Sequence, residues 1–388
     1  MHKPPIWWHL VDVTIVSPIE QTFHLVRVGR KLFGVPVRAL NLQEGQPRRS
    51  AFFTDRPIET LSPEEVRWGP ADAAKPPTPP FTITKPKGEG KTAGFFAEDA
   101  QGTRYLLKLD PVGAPELLTG AEVVASKLLY ALGYHVPSYE IVRVDPVELR
   151  IGSWVVVRPV GHPVRPFTSE DLEALLHGRL QDGMLRVVAS RIIDGEILGP
   201  ASFKRFRDCA EMRALRLAYA WLNNIDAKDH NTLLVWDGAE TVGYLIDFGT
   251  SLGADAGRGG PKGPCAGWTH VVDLATFSME VVTLGLHQSR CNRRELPVNP
   301  QVGLISERMD SVRWKPYAPN LAFQEMNDED ARWIVGRLSR LSRVQLEAAV
   351  SAGQYSDPAD AAYLVEVLEA RRQAIIRQYL DGETEEGR

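Results

Sequence analysis

The sequence predicts an α+β fold in two lobes, a small β-rich lobe followed by a larger helical one, behind an N-terminal extension. Three observations predict it. Between residues 81 and 160 short β-favouring runs dominate, with one helical segment among them. After the break Gly161-His162-Pro163 the chain turns mainly helical. Within that helical part a hairpin signal stands out, Asp237-Gly238 between two apolar runs. The expected boundaries are 1–80 for the extension and a proline-rich linker, 81–160 for the small lobe and 161–388 for the large lobe with its C-terminal helices.

The elements follow in order. A short helix is expected after Ser62, where Ser-Pro-Glu-Glu supplies a cap, a proline at the first helical position and acidic first-turn residues. The prolines of 69–80 mark an extended strap. Phe81–Thr84 reads as a strand, and Gly94–Phe96 and Arg104–Leu109 as a hairpin around Asp99-Ala100-Gln101-Gly102. Glu116–Leu132 has helical spacing and ends at Gly133. Strands are expected at Tyr139–Val144 and Ser153–Val160, and helices at Ser169–Leu176, Glu211–Leu222 and Ala359–Tyr379. Asn231–Trp236 and Thr241–Ile246 form the hairpin, and Gly253–Gly267 reads as a mobile loop.

Composition bounds the function. The chain has 388 residues, 44% hydrophobic and 24% charged, which suits a globular protein with one or two cores. A net charge of −4 argues against broad nucleic-acid binding, which needs a basic surface. The cluster Lys204, Arg205, Arg207 reads as a solvated face. No apolar run approaches the ~18 residues of a membrane helix. The start Met1-His2-Lys3-Pro4-Pro5 has no apolar signal core, so the expected location is cytoplasmic. Cys209, Cys265 and Cys291 match no zinc or redox spacing, and free thiols are expected.

The chemistry concentrates in Asp226-Ala227-Lys228-Asp229-His230-Asn231, the hairpin after it, and Asp247-Phe248-Gly249 at the hairpin's end. Phosphoryl transfer relies on positioning and charge neutralisation, and it needs these residue types in this arrangement. One Asp orients the acceptor hydroxyl and takes its proton. An Asn oxygen and a second carboxylate hold Mg²⁺, which prefers hard oxygen ligands. On this reading Asp226 and Lys228 are catalytic, and Asn231 and Asp247 bind metal. Upstream, Lys108 sits in the apolar strand Tyr105-Leu106-Leu107-Lys108-Leu109, where a lysine is costly unless paired. Glu122 on the next helix is the expected partner, with Glu116 as its rival. Gly88, Gly90 and Gly94 form a glycine-rich turn through which backbone can approach phosphates. Gly90-Lys91-Thr92 also matches the end of a P-loop. However, Lys85 stands where that motif needs its first glycine, and the pattern continues as strand.

Asp-x-Lys-x-x-Asn, a hairpin and Asp-Phe-Gly, in this order, resemble the catalytic and metal loops of the protein-kinase-like superfamily. Asn224-Ile225 stands where the common branch has His-Arg, which removes an Arg that reads loop phosphorylation. The signature is more similar to the atypical branches: the bacterial HipA-like serine kinases and, more distantly, the phosphoinositide and secretory-pathway kinases. Thr119-Gly120-Ala121-Glu122 and Ala131-Leu132-Gly133-Tyr134-His135-Val136-Pro137 also resemble HipA-like chains. The resemblance spans residues 80–255. It implies a two-lobed kinase-like fold, ATP with Mg²⁺ or Mn²⁺ as cofactor, and transfer to a hydroxyl. The implied acceptor is a protein Ser or Thr. A small molecule, lipid or glycan acceptor and a nucleotide-binding pseudokinase remain the alternatives.

Overall fold

The computed structural model describes residues 6–12, 16, 29–30, 32–35, 37–48, 50–88, 92–158, 163–271 and 296–380. Gly90, named above as a phosphate-loop residue, lies outside them, as does Cys291.

Alternation in the sequence builds the main sheet. In β1 (Phe81–Pro86) Phe81 and Ile83 are buried while Thr82 and Thr84 face water. β2 (Gly94–Glu98) and β3 (Arg104–Leu109) follow as an antiparallel hairpin. Then come β4 (Tyr139–Val144), β5 (Leu149–Ile151) and β6 (Met184–Arg191). The order across the sheet is β4-β6-β3-β2-β1-β5, with only the β1–β5 pair parallel. A smaller three-stranded sheet holds β7 (Glu196–Gly199), β8 (Thr232–Trp236) and β9 (Thr241–Leu245).

Besides a short helix at Ile6–Val11, the described helices are α1 (Pro63–Trp68), α2 (Leu117–Ala131), α3 (Ser169–Leu176), α4 (Ala210–Leu222), α5 (Leu321–Gln324), α6 (Asp328–Arg340), α7 (Arg343–Ser351) and α8 (Pro358–Tyr379). The expected α+β, two-lobed order is the one observed. Ser62 and Glu65 close a reciprocal capping box on α1. Gly133 ends α2 at φ +104°, and a Cβ there would meet the Thr54 carbonyl at 2.7 Å.

The two faces of the main sheet serve two cores. Tyr105, Leu107, Leu109, Val187 and Ala189 pack on one side, over Leu172 and Leu176 of α3. Lys108 and Val188, paired across β3 and β6, face the other side, where α2 and the larger core lie. That core joins α2, α4, α6, α7 and α8.

Four expectations need correction. Among the described residues of the expected strand 153–160, only Val156–Val157 pairs as a strand. β6, which pairs with both β3 and β4, lies beyond the expected lobe boundary at residue 160, because the turn Asp182-Gly183 leads back into a buried apolar run. The segment 1–80 is more than an extension. Phe52, Phe53, Ile58 and Val66 are buried in the main core, and α1 packs on α2 and α7. Cys209 is a free thiol, but Cys265 is disulfide-bonded. Among the described residues no helix is long and apolar enough to cross a membrane.

Candidate active site

β3 and α2 bring the first charged pair together. Lys108 is 5% exposed, and its ammonium donates to Oε1 of Glu122 and to Oδ1 of Asp247, the latter at 3.0 Å. A buried lysine needs such partners, because taking its charge out of water is otherwise prohibitive. Burial opposes the Lys108 ammonium, yet Asp247 and Glu122 outweigh it and push its pKa up. Burial lifts the Glu122 pKa above its ordinary value, and Lys108 limits the rise. Burial likewise works against Asp247, but Lys108, with Lys228 and Lys87 beyond it, holds that carboxyl at about 2.

Glu116, the rival partner, has a different job. It is the N-cap of α2 at φ +69°, and its Oε2 accepts from the Ser356 amide at 2.9 Å. Glu122 is the residue that meets Lys108.

The second half of the site is built on the end of α4. Asn223 closes that helix in the left-handed conformation, φ +50°, which turns the chain out into 224–231. The loop is tied on several sides. The Tyr317 amide donates to the Ile225 carbonyl at 2.7 Å, and Asn320 Nδ2 donates to the Ala227 carbonyl at 3.2 Å. Asp226 and Lys228 form an ion pair at 2.6 Å, both side chains about a fifth exposed (17% and 21%). Asn231 Nδ2 donates to the Asp226 carbonyl at 2.8 Å. Its amide oxygen is therefore the end left to accept or to bind a cation.

The β8–β9 hairpin then returns the chain to the site. Thr232 pairs with Leu245, and the Ile246 amide donates to the Asn231 carbonyl at 2.9 Å, so Asn231 and Asp247 stand at neighbouring strand ends. Asp247 has φ +63°, unusual for a non-glycine residue. Its side chain is 45% exposed. Phe248 is fully buried, 5.7 Å edge-on from Tyr139, whose hydroxyl accepts from the Asp247 amide at 3.3 Å. The buried phenyl ring anchors a turn that presents the carboxylate on the open side.

The predicted glycines divide. Gly94 lies in β2 opposite Lys108, and a Cβ there would collide with the Leu107 carbonyl. Strand packing alone demands a glycine at that position. Gly88 is exposed, and a Cβ there would meet nothing within 4 Å. Among the described residues no contact explains the glycine at 88.

Sequence reasoning missed two cations. Lys87, at the mouth of the glycine-rich turn, donates to the Thr92 carbonyl at 2.9 Å and adds to the positive field at Glu122 and Asp247. Its place beside Gly88 was the available signal. Lys262 is 3% exposed and donates to the carbonyls of Asn223 at 2.6 Å and Leu252 at 2.5 Å. The segment 253–267 is thus fastened rather than mobile. Asp255 is fully buried and accepts from the Tyr317 hydroxyl, and the Gly253 carbonyl accepts from the amides of Lys262 and Leu304. Thr250 adds a tie from its hydroxyl to Asn224 Oδ1 at 3.1 Å, linking the two halves of the site.

No family model and no curated protein matches the chain. Among solved structures, it is similar to a Helicobacter pylori proinflammatory kinase, CtkA, at 10% identity and a TM-score of 0.40, covering 76% of this chain and 93% of that one. It is also similar to the kinase domain of Mycobacterium tuberculosis PknI, at 14% identity and a TM-score of 0.26, covering 76% and 95%.

Proposed function

We propose that this chain is an ATP-dependent phosphotransferase that moves the γ-phosphate of Mg-ATP to a hydroxyl. The carrying observation is the chain of charges at one place. A buried Lys108 is held between Glu122 and Asp247, while Asp226, Lys228 and Asn231 occupy the loop whose hairpin leads to Asp247. In a kinase-like site, Lys108 binds the α- and β-phosphates, and Glu122 fixes its ammonium. Asp226 orients the acceptor hydroxyl and takes its proton, and Lys228 neutralises charge on the transferring phosphate. Gly88 leaves room for phosphate oxygens at the turn between β1 and β2.

The residues present fit the metal that this reading requires. One carboxylate and one amide oxygen form a small all-oxygen set, the kind Mg²⁺ takes when phosphates and water complete its shell. Asn231 and Asp247 would hold Mg²⁺ or Mn²⁺. When bound, the metal neutralises phosphate charge.

The acceptor we favour is a protein Ser or Thr, the chain's own included. This rests on the resemblance of residues 119–137 to HipA-like serine kinases. Incubation with γ-labelled ATP and Mg²⁺ tests the reading. Label should pass to Ser or Thr in the chain or in an added protein, and Asp226→Ala should lower the rate by about 10²–10⁴-fold. A wild type that transfers no label to any acceptor refutes the proposal.

A further inference from the structure

Glu122 can meet Lys108 only if α2 is docked, and α2 is gripped at its first turn by groups other than those that bond Lys108. Asp110 follows β3, two residues beyond Lys108. Its carboxylate accepts from the amides of Glu116, Leu118 and Thr119, each at 2.9 Å, and from the Thr119 hydroxyl at 2.7 Å. It thereby caps a helix whose own N-cap residue makes no side-chain cap bond. Arg186, 4% exposed on β6, donates from Nε to Thr119 Oγ1 at 2.9 Å and lies 3.8 Å from Asp110. The rest of its guanidinium reaches the far lobe, donating to the Gln354 carbonyl at 2.8 Å and to the Gly353 carbonyl.

The loop 353–356, between α7 and α8, completes the grip. The Ser356 amide donates to Glu116, and the Tyr355 ring lies against Gly120, where an added Cβ would come within 2.6 Å of its hydroxyl. Gly120 is two residues from Glu122. A shift of this turn therefore carries Glu122 away from Lys108.

We propose that Arg186 and Asp110 are positioning residues for phosphate transfer, coupling the loop between α7 and α8 to the Lys108–Glu122 pair by fixing the first turn of α2. The inference rests on the kinase reading of the site. It assigns to a permanent buried network the control of helix position that related folds place under phosphorylation. The fork geometry matters: a guanidinium holds Thr119 and two carbonyls at once, and an ammonium cannot span them.

The test compares the wild type with Arg186→Lys and the near-isosteric Thr119→Val, which guards against simple misfolding. Both should lower kcat for phosphate transfer on the order of tenfold or more, by displacing Glu122. Combining Arg186→Lys with Glu122→Gln should be no slower than Glu122→Gln alone, because both act through one pair. Effects that multiply would overturn the inference. Hydrogen exchange separates this result from failure of the kinase reading. Even in a chain that transfers no phosphate, the amides of Leu118–Val123 should exchange faster in Arg186→Lys while those of α8 stay protected. Unchanged exchange in α2 would also overturn it.

Discussion

Replacing Lys108 by Met removes the ammonium between Glu122 and Asp247 while keeping an unbranched side chain of similar length. Glu122 is 2% exposed, so its carboxylate loses its partner in a place where water cannot replace it. A buried charge left unpaired this way costs about 3–5 kcal/mol. Protonation caps the loss. Relative to its ordinary value of 4.5, neutralising Glu122 at pH 7 costs about 3.4 kcal/mol, at about 1.4 kcal/mol per pH unit. At pH 5 the same step costs less than about 1 kcal/mol. The sign follows from linkage. In the variant the folded Glu122 binds its proton more tightly than the unfolded chain does, so stability falls as pH rises above 4.5. Urea unfolding of wild type and Lys108→Met at pH 5, 6 and 7 reads this directly. The gap should widen with pH to about 3 kcal/mol, and adding Glu122→Gln should close most of it. A gap independent of pH, or one that Glu122→Gln leaves in place, refutes the pairing argument.

Three further predictions rest on separate observations. Gly94→Ala forces a Cβ onto the Leu107 carbonyl and should destabilise the fold by about 1–3 kcal/mol, whereas Gly88→Ala should change unfolding by less than about 0.5 kcal/mol; equal effects would contradict the division of the two glycines. Lys262→Met leaves the Asn223 and Leu252 carbonyls without their buried donor, and should cost about 1–3 kcal/mol and expose segment 253–267 to limited proteolysis. Asp247 is held down at about 2, so the stability it shares with Lys108 is present above its ordinary value of 3.8 and lost as pH falls through about 2; the stability gap between wild type and Asp247→Asn should hold from pH 7 to about 4 and vanish near 2, and a gap already gone at pH 5 would contradict it.

What the sequence made legible was local. Asp237-Gly238 marks a tight turn by its own chemistry, and the β8–β9 hairpin forms where expected. A lysine inside an apolar strand signals a buried partner, and Lys108 has two. The helices α3 and α4 form where expected, give or take a residue at the ends. What stayed hidden was long-range. Met184–Arg191 reads ambiguously, since a short apolar run fits a buried strand or a helix, and only pairing with both β3 and β4 decides it. Arg186 inside that run gives no local hint that its carbonyl partners lie at 353 and 354. Segment 253–267 looks mobile from its glycines and prolines. A buried ammonium and the Tyr317–Asp255 bond fasten it through residues distant in the chain.

Thermal unfolding with and without saturating Mg-ATP, on wild type, Asp226→Ala and Asp247→Ala, tests the phosphotransfer account most directly. Asp226 is assigned to the chemistry and Asp247 to the metal, so the two variants should part company. At about 100-fold over the dissociation constant a ligand adds about 2.7 kcal/mol to stability. The wild type and Asp226→Ala should both show that gain, and Asp247→Ala should show much less. A wild type that gains nothing from any nucleotide and metal contradicts the account.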